Sequence, residues 1–144
     1  HPGQVFVSAS PAAVTTILGS CVAICVFDPV LRVGGTNHYL LPYWVGNGLS
    51  SPRFGNVAVQ HLIEKLLGLG SRKSDLQAKV FGGACVIDAF LSRGEHLGTK
   101  NVELGLKVLR QEGIPVVADE VGGRRGRKVV FHTDQGTAWV RYLA

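Results

Sequence analysis

Short apolar segments, most of them too short for helices, alternate along the chain with breaks that contain glycine or proline. Val22–Phe27 is apolar at every position, which is typical of a strand buried on both faces, and Asp28-Pro29 ends it. Shorter apolar segments precede it at Val5–Val7 and Val14–Leu18. We predict further strands at Asn37–Leu41, Ala78–Phe81, Ile114–Ala118, Lys128–His132 and Thr137–Tyr142.

Two longer segments have helical periodicity. In Asn56–Leu67, apolar residues recur at steps of three and four positions, and Gly68 follows the segment. Lys100–Gln111 repeats the pattern, with Gly113 after it. Strands therefore bracket two helices without a linker or a repeat. The pattern predicts one domain over residues 1–144, an α/β fold with a mixed, largely antiparallel sheet and two main helices packed on it.

The strands Val22–Phe27 and Asn37–Leu41 are close enough in sequence to form an antiparallel hairpin. If its turn is centred near Val30, residues whose numbers sum to about 60 lie opposite each other. Cys21 then lies opposite Tyr39, and His38 is one position away. A shift of one residue would place His38 on the face of Cys21, and the sequence leaves these two registers open.

Cys21 and His38 are the strongest candidates for chemistry. A thiolate attacks carbonyl carbons, and an imidazole close to it can act as the base. Gly19-Ser20 precedes the cysteine and offers backbone N–H groups for an oxyanion, and the hydroxyl of Thr15 or Thr16 can hydrogen-bond an imidazole. The alternative interpretation is a small buried apolar residue, which we prefer for the other cysteines, Cys25 and Cys85.

The composition is typical of a globular protein, since 46% of the 144 residues are apolar and 17% are charged. No apolar run approaches the ~18 residues that cross a bilayer. The first residues lack the features of a signal peptide. Three cysteines are an odd, sparse set, which favours a reducing compartment. The sequence contains no Cys-x-x-Cys pair, so it does not support a structural zinc site. We therefore predict a cytoplasmic protein without membrane insertion.

The formal net charge is +5, and the excess comes from one cluster, Arg124, Arg125, Arg127 and Lys128. Outside this cluster, basic and acidic residues are nearly balanced. Aromatic residues are scattered and do not interleave with the basic ones, so the pattern does not favour nucleic acid. We interpret the cluster as a solvated turn or as a patch for an acidic protein partner.

Several motifs resemble the CheD family of bacterial chemoreceptor glutamine deamidases, and the resemblance covers essentially the whole chain. The most specific are Leu18-Gly19-Ser20-Cys21-Val22-Ala23 and Gly35-Thr36-Asn37-His38-Tyr39. Thr36 stands where the family often has Met, and Asn56 where it often has Asp. The remaining motifs follow in the family's order: Pro2-Gly3-Gln4-Val5-Phe6, Arg53-Phe54-Gly55, Ala78-Lys79-Val80-Phe81-Gly82-Gly83, Gly98-Thr99-Lys100-Asn101 and Val121-Gly122-Gly123-Arg124.

The resemblance implies a catalytic Cys21, a catalytic His38 and a supporting Thr15, with Thr16 in that role if the alignment slips by one. We assign Gly19, Ser20 and Asn37 to substrate or oxyanion contacts. The family fold is an α/β sandwich similar to bacterial toxin deamidases. Family members convert glutamine to glutamate and ammonia in cytoplasmic helices of methyl-accepting chemoreceptors, without a metal or cofactor. Some members also hydrolyse receptor glutamate methyl esters, and some pair with a CheC-type phosphatase.

Three other functions remain as alternatives. The first is a docking module for a phosphatase. The second is an esterase or peptidase in which Cys21 and His38 are catalytic. The third is a nucleic-acid-binding protein that uses the basic cluster. Release of ammonia indicates a deamidase, release of methanol indicates an esterase, and cleavage of the substrate chain indicates a peptidase. A steep salt dependence is the property that nucleic-acid binding requires.

Overall fold

The computed structural model describes residues 1–44, 46, 50–85 and 96–144, in which two β-sheets and two helices form three layers. Sheet A has the strand order β1-β4-β3-β5-β6, and sheet B has the order β2-β7-β8. Sheet A consists of β1 (Val5–Ser8), β3 (Val22–Asp28), β4 (Val33–Asn37), β5 (Gln77–Gly82) and β6 (Val116–Val121). The other elements are β2 (Ala13–Leu18), β7 (Arg127–His132), β8 (Ala138–Tyr142), α1 (Gly55–Gly68), a 3₁₀ turn (Lys73–Asp75) and α2 (Leu97–Gln111).

Neighbouring strands are antiparallel in both sheets, except that β5 and β6 are parallel. The predicted α/β class, with a mixed and largely antiparallel sheet and two main helices, is confirmed. The sequence pattern did not separate the strands into two sheets, because both sheets use equally short apolar segments. Neither described helix has the length and apolar character needed to span a bilayer.

The central strand β3 is buried on both faces, as its apolar run predicts. Val22, Ile24 and Val26 pack in one cluster with residues of α1 and α2. Ala23 and Cys25, which alternate with them, pack against sheet B in a second cluster that includes Phe131 of β7. The helices therefore cover one face of sheet A, and sheet B covers the other.

The strand that follows β3 lies earlier than predicted, at Val33–Asn37 instead of Asn37–Leu41. Its two glycines, which suggested a break, are required by close packing within the sheet. A Cβ atom on Gly34 would lie 2.5 Å from the carbonyl oxygen of Thr133, and one on Gly35 would overlap the carbonyl oxygen of Phe6. Glycine lets β4 pass between its neighbours, so here it indicates a strand.

The helices begin slightly earlier than the periodicity predicts. α2 begins at Leu97 instead of Lys100, because the His96 side chain caps the helix by accepting a hydrogen bond from the Thr99 amide. α1 begins at Gly55, one residue before the predicted start. Two segments lie partly outside the described residues: Pro42–Pro52, whose glycines and serines predict a loop, and the apolar run Ala84–Phe90.

Candidate active site

Cys21 and His38 lie on the same face of sheet A. The pairs Cys25–Thr36 and Val22–Tyr39 place Ala23 opposite His38, which is the shifted one of the two registers that the sequence left open. Because side chains alternate along a strand, Cys21 shares the face of Ala23, and that face points at sheet B. Residues in such diagonal positions have Cβ atoms about 7–8 Å apart. The register thus places Cys21 and His38 diagonally on one face, and within the described residues no hydrogen bond joins the thiol to the ring.

Asn37 lies next to this pair but is turned away from the surface. Its Oδ1 accepts a hydrogen bond of 2.9 Å from the Ile24 amide, in the position that a main-chain carbonyl holds in a regular ladder. The residue is 1% exposed. The structure therefore does not bring Asn37 to the cleft as a substrate or oxyanion contact, and its side chain instead joins β4 to β3.

The main chain of Gly19-Ser20-Cys21 is held through its carbonyl groups. The Gly83 amide donates to the Cys21 carbonyl at 2.8 Å, and the Ala84 amide donates to the Gly19 carbonyl at 2.9 Å. Within the described residues, the amides of Ser20 and Cys21 donate to no main-chain carbonyl. These two N–H groups therefore have no main-chain acceptor that competes with a negatively charged oxygen, as the predicted oxyanion role requires, although the Cys21 N–H group also contacts its own sulfur.

The unusual backbone at this turn belongs to Gly82 and Gly83, with φ angles of +108° and +70°, and not to Gly19. A Cβ atom on Gly82 would overlap the carbonyl oxygen of Cys21. The glycine pair, which is weakly similar to a phosphate loop in sequence, thus supports the backbone of the cysteine.

We expect Gly82→Ala to displace Cys21 and to lower both activity and stability. The left-handed φ and the overlap together should cost about 2–4 kcal/mol of unfolding free energy, and activity should fall at least about tenfold. Gly113→Ala is the matched control, because Gly113 has a φ of +73° but no atom within 4 Å of the added Cβ. Urea unfolding and initial rates measure both effects. Equal activity of the two variants would show that the glycine pair does not position Cys21.

Asn101 of α2 joins the two halves of the site, although no sequence motif indicates such a role for it. The side-chain Nδ2 of Asn101 donates to the main-chain carbonyls of Ser20 and Leu40 at 3.1 and 2.9 Å. The main-chain carbonyl of Asn101 accepts a hydrogen bond from the Tyr39 hydroxyl at 2.6 Å. The side chain is fully buried. The available signal was a polar residue on the same helical face as Leu104, where an apolar residue is expected.

The His38 imidazole is neutral near pH 7. The residue is 7% exposed, and neither ring nitrogen has a hydrogen-bond partner among the described residues. Burial lowers the pKa of the ring to about 4, from an ordinary value of 6.5. The ring borders a cleft of about 530 Å³, whose walls include Thr15, Thr16 and Ile17 of β2. A neutral imidazole beside a cleft is suited to accept a proton.

The two threonines of β2 point in opposite directions. Thr16 pairs with Val129, which is buried between the sheets, whereas Thr15 pairs with Val130 on the outer face of sheet B and is exposed. Thr16 thus faces the side of the cleft on which His38 lies. The structure records no hydrogen bond from either hydroxyl to the ring among the described residues.

Cys21 is the most accessible of the three cysteines. It is partly exposed, whereas Cys25 and Cys85 are buried, which agrees with their predicted place in the core. Burial raises the pKa of the Cys21 thiol above its ordinary value of 9.0, and a hydrogen bond from its own backbone N–H partly opposes this effect. The resting pair is therefore a thiol and a neutral imidazole, not an ion pair.

We expect alkylation by iodoacetamide to modify Cys21 selectively and to accelerate with pH to beyond pH 9, because the thiolate is the reactive form. Peptide mass spectrometry at a series of pH values gives the rate at each cysteine. A rate that reaches its plateau near pH 7 would contradict the neutral resting pair. Preferential labelling of Cys25 or Cys85 would contradict the burial pattern.

Comparisons with known proteins agree with the sequence motifs. The family described as "CheD chemotactic sensory transduction" matches residues 40–142. A chain of Anaeromyxobacter dehalogenans named "Probable chemoreceptor glutamine deamidase CheD 1" is 55% identical over 144 residues, which cover 99% of this chain and 82% of the relative. A Sulfurimonas denitrificans chain with the name "Probable chemoreceptor glutamine deamidase CheD" is 39% identical over 99% of this chain and 92% of its own length.

The family match begins after Cys21 and His38, but the similarity to these relatives extends over nearly the whole chain. A third relative, from Rhodospirillum rubrum and with the same name as the second, is 42% identical over 99% of this chain and 80% of its own length. The fold, the motifs and these similarities lead to one conclusion. This chain belongs to the CheD family.

Proposed function

We propose that this chain deamidates glutamine side chains in chemoreceptor cytoplasmic helices and that Cys21 and His38 perform the reaction. The observation that carries the proposal is the register of β3 and β4, which puts a partly exposed thiol on the same face as a neutral imidazole that borders a cleft. Membership in the family and the names of the relatives support the substrate class. Because the proposed substrate is cytoplasmic, we propose a cytoplasmic location for the protein as well.

The reaction begins with proton transfer from the Cys21 thiol to the neutral His38 ring, while the sulfur attacks the carboxamide carbon of the glutamine. The carbonyl π electrons move to oxygen. Protonated His38 then gives its proton to the amide nitrogen, the C–N bond breaks, and ammonia leaves a thioester on Cys21. A water molecule attacks the thioester with His38 as base, which forms the glutamate side chain and restores the thiol.

The negative oxygen of each tetrahedral intermediate lies, in this proposal, against the amides of Ser20 and Cys21. Both amides are free of main-chain acceptors within the described residues, and the carbonyls of the same turn are fixed by Gly83, Ala84 and Asn101. Donors held in place before the reaction need no reorganisation, and loss of one donor typically raises the barrier by about 3 kcal/mol.

For the residue that orients His38, the direction of the side chains favours Thr16 over Thr15. We expect Thr16→Val to lower kcat by about tenfold or more, since valine keeps the shape but removes the hydroxyl. Thr15→Val is the matched control, because Thr15 lies on the outer face of the same strand. Steady-state kinetics and thermal unfolding of both variants test this prediction. A larger loss in Thr15→Val would return the role to Thr15, as the family resemblance implies.

The experiment that tests the proposed function combines a purified receptor cytoplasmic fragment with the wild-type protein. Deamidation releases ammonia and raises the fragment mass by about 1 Da. If the methylated fragment instead releases methanol while the unmethylated one releases no ammonia, the protein is a glutamate methylesterase. Shorter fragments would indicate a peptidase. If no product forms, docking to a partner protein is the function that remains. A CheC-type phosphatase partner, which the family resemblance implies for some members, stays a prediction.

A further inference from the structure

Sheet B has an outer face that carries large exposed side chains. Two cross-strand rows form it, Thr15–Val130–Trp139 and Ile17–Lys128–Arg141, since residues directly opposite each other share a face. Trp139 is 70% exposed and Ile17 is 54% exposed, and Trp139 is the most exposed large apolar side chain among the described residues. We call these six residues, Thr15, Ile17, Lys128, Val130, Trp139 and Arg141, the outer face.

The charge of this sheet has one sign. None of the residues in β2, β7 and β8 is acidic, and Lys128 lies directly opposite Arg141 on the outer face. Like charges in directly opposite positions destabilise a sheet. Among the described residues, neither cation takes part in an ion pair. An acidic partner on this face would remove the repulsion, and tryptophan with arginine is the composition that binding sites favour.

The outer face continues into the catalytic cleft. β2 is an edge strand of sheet B, and its residues Thr15 and Ile17 belong to the outer face and also line the cleft beside His38. A substrate segment whose glutamine enters the cleft across β2 therefore also contacts the outer face. A rigid helix that continues in that direction would extend across Lys128 and Trp139.

We propose that the outer face is a docking surface for an acidic, amphipathic helical region of the substrate next to the modified glutamine. Carboxylates of that region pair with Lys128 and Arg141, and its apolar side chains pack on Trp139 and Ile17. This inference rests on the proposed function, because it takes the occupant to be the helical substrate of the same site. Such a surface increases the local concentration of glutamine at Cys21 without touching the reacting atoms.

The test compares two substrates that share one target glutamine: a folded receptor fragment and a short peptide confined to the cleft. The docking variants are Lys128→Glu with Arg141→Glu, and separately Trp139→Ala. The matched control, Lys65→Glu with Arg72→Glu, makes the same change of net charge at exposed positions in and after α1. We expect the docking variants to raise KM for the fragment by about tenfold or more, with unchanged kinetics on the peptide and an unaffected control.

Each other outcome has a separate meaning. An equal rise of KM in the control would overturn the proposal in favour of a general charge effect. An unchanged KM for the fragment in the docking variants would also overturn it. If Trp139→Ala in addition abolished a dimer seen by sedimentation, the outer face would be a self-association surface. A wild-type protein that deamidates neither substrate would contradict the proposed function itself. If the wild-type protein deamidates the fragment but substitutions on the outer face leave KM for the fragment unchanged, only the docking surface is contradicted.

Discussion

Cys21→Ala is expected to lower deamidation by about four orders of magnitude or more, because the alanine side chain has no nucleophile to form the thioester. The fold should persist. Cys21 is partly exposed at the edge of the core cluster, so loss of its sulfur should cost no more than about 1 kcal/mol of unfolding free energy. For a domain of this size, that cost corresponds to a shift of about 2–4 °C in Tm.

Cys25→Ala is the matched control for this prediction and should show the opposite pattern. Its sulfur is fully buried between the sheets, where it lies 3.5 Å from the Thr36 hydroxyl. Removal leaves a cavity and should cost about 1–2 kcal/mol of unfolding free energy, with kcat nearly unchanged. Ammonia release and thermal unfolding on both variants are sufficient. Retained turnover in Cys21→Ala would disprove thiolate catalysis at this position.

His38→Gln should lower kcat/KM by about 10²–10⁴-fold, since glutamine fills similar space but cannot accept the thiol proton. The pH profile gives a second readout. Because burial lowers the pKa of His38 to about 4, the base is neutral above that pH, and wild-type activity should fall only as the pH decreases through about 4. The residual activity of the variant should lack this step. A wild-type step near pH 6.5 would contradict the buried, neutral imidazole.

The same residue makes stability depend on pH, and the sign follows from its pKa values. The folded protein binds this proton with a pKa of about 4, and the unfolded chain binds it near 6.5. Protons are therefore bound preferentially by the unfolded state between these values, and wild-type stability should fall as pH decreases from about 6.5 towards 4. In His38→Gln this part of the decrease should be absent, which urea unfolding at several pH values would show.

The sequence was sufficient to predict that Cys21 and His38 lie close together, because a short hairpin has few ways to fold. It could not predict that they share a face. That property depends on a register in which Gly34 and Gly35 belong to β4, and those glycines are required by Thr133 and Phe6, which lie far away in the chain. Local pattern carries no information about such contacts.

The support of the site was also beyond the sequence pattern. Asn101 and the glycine pair Gly82-Gly83 hold the backbone of Gly19-Ser20-Cys21 from distant parts of the chain. The direction of Thr15 and Thr16 depends on the pairing of β2 with β7, which forms a second sheet that the apolar pattern did not reveal. The candidate catalytic residues were thus recognisable from motifs, whereas the residues that hold their backbone became apparent only from hydrogen bonds between distant segments.

The central claim is that a thioester forms on Cys21. Competition between hydroxylamine and water for this intermediate tests the claim most directly. Hydroxylamine competes with water for a thioester, so the target glutamine should gain about 16 Da as a hydroxamate in addition to the gain of about 1 Da from deamidation. We expect the hydroxamate share to rise with hydroxylamine concentration in the wild-type protein, and neither product to form with Cys21→Ala. Only the 1 Da product at every hydroxylamine concentration, formed at an unchanged rate, would show direct attack by water and contradict the thioester.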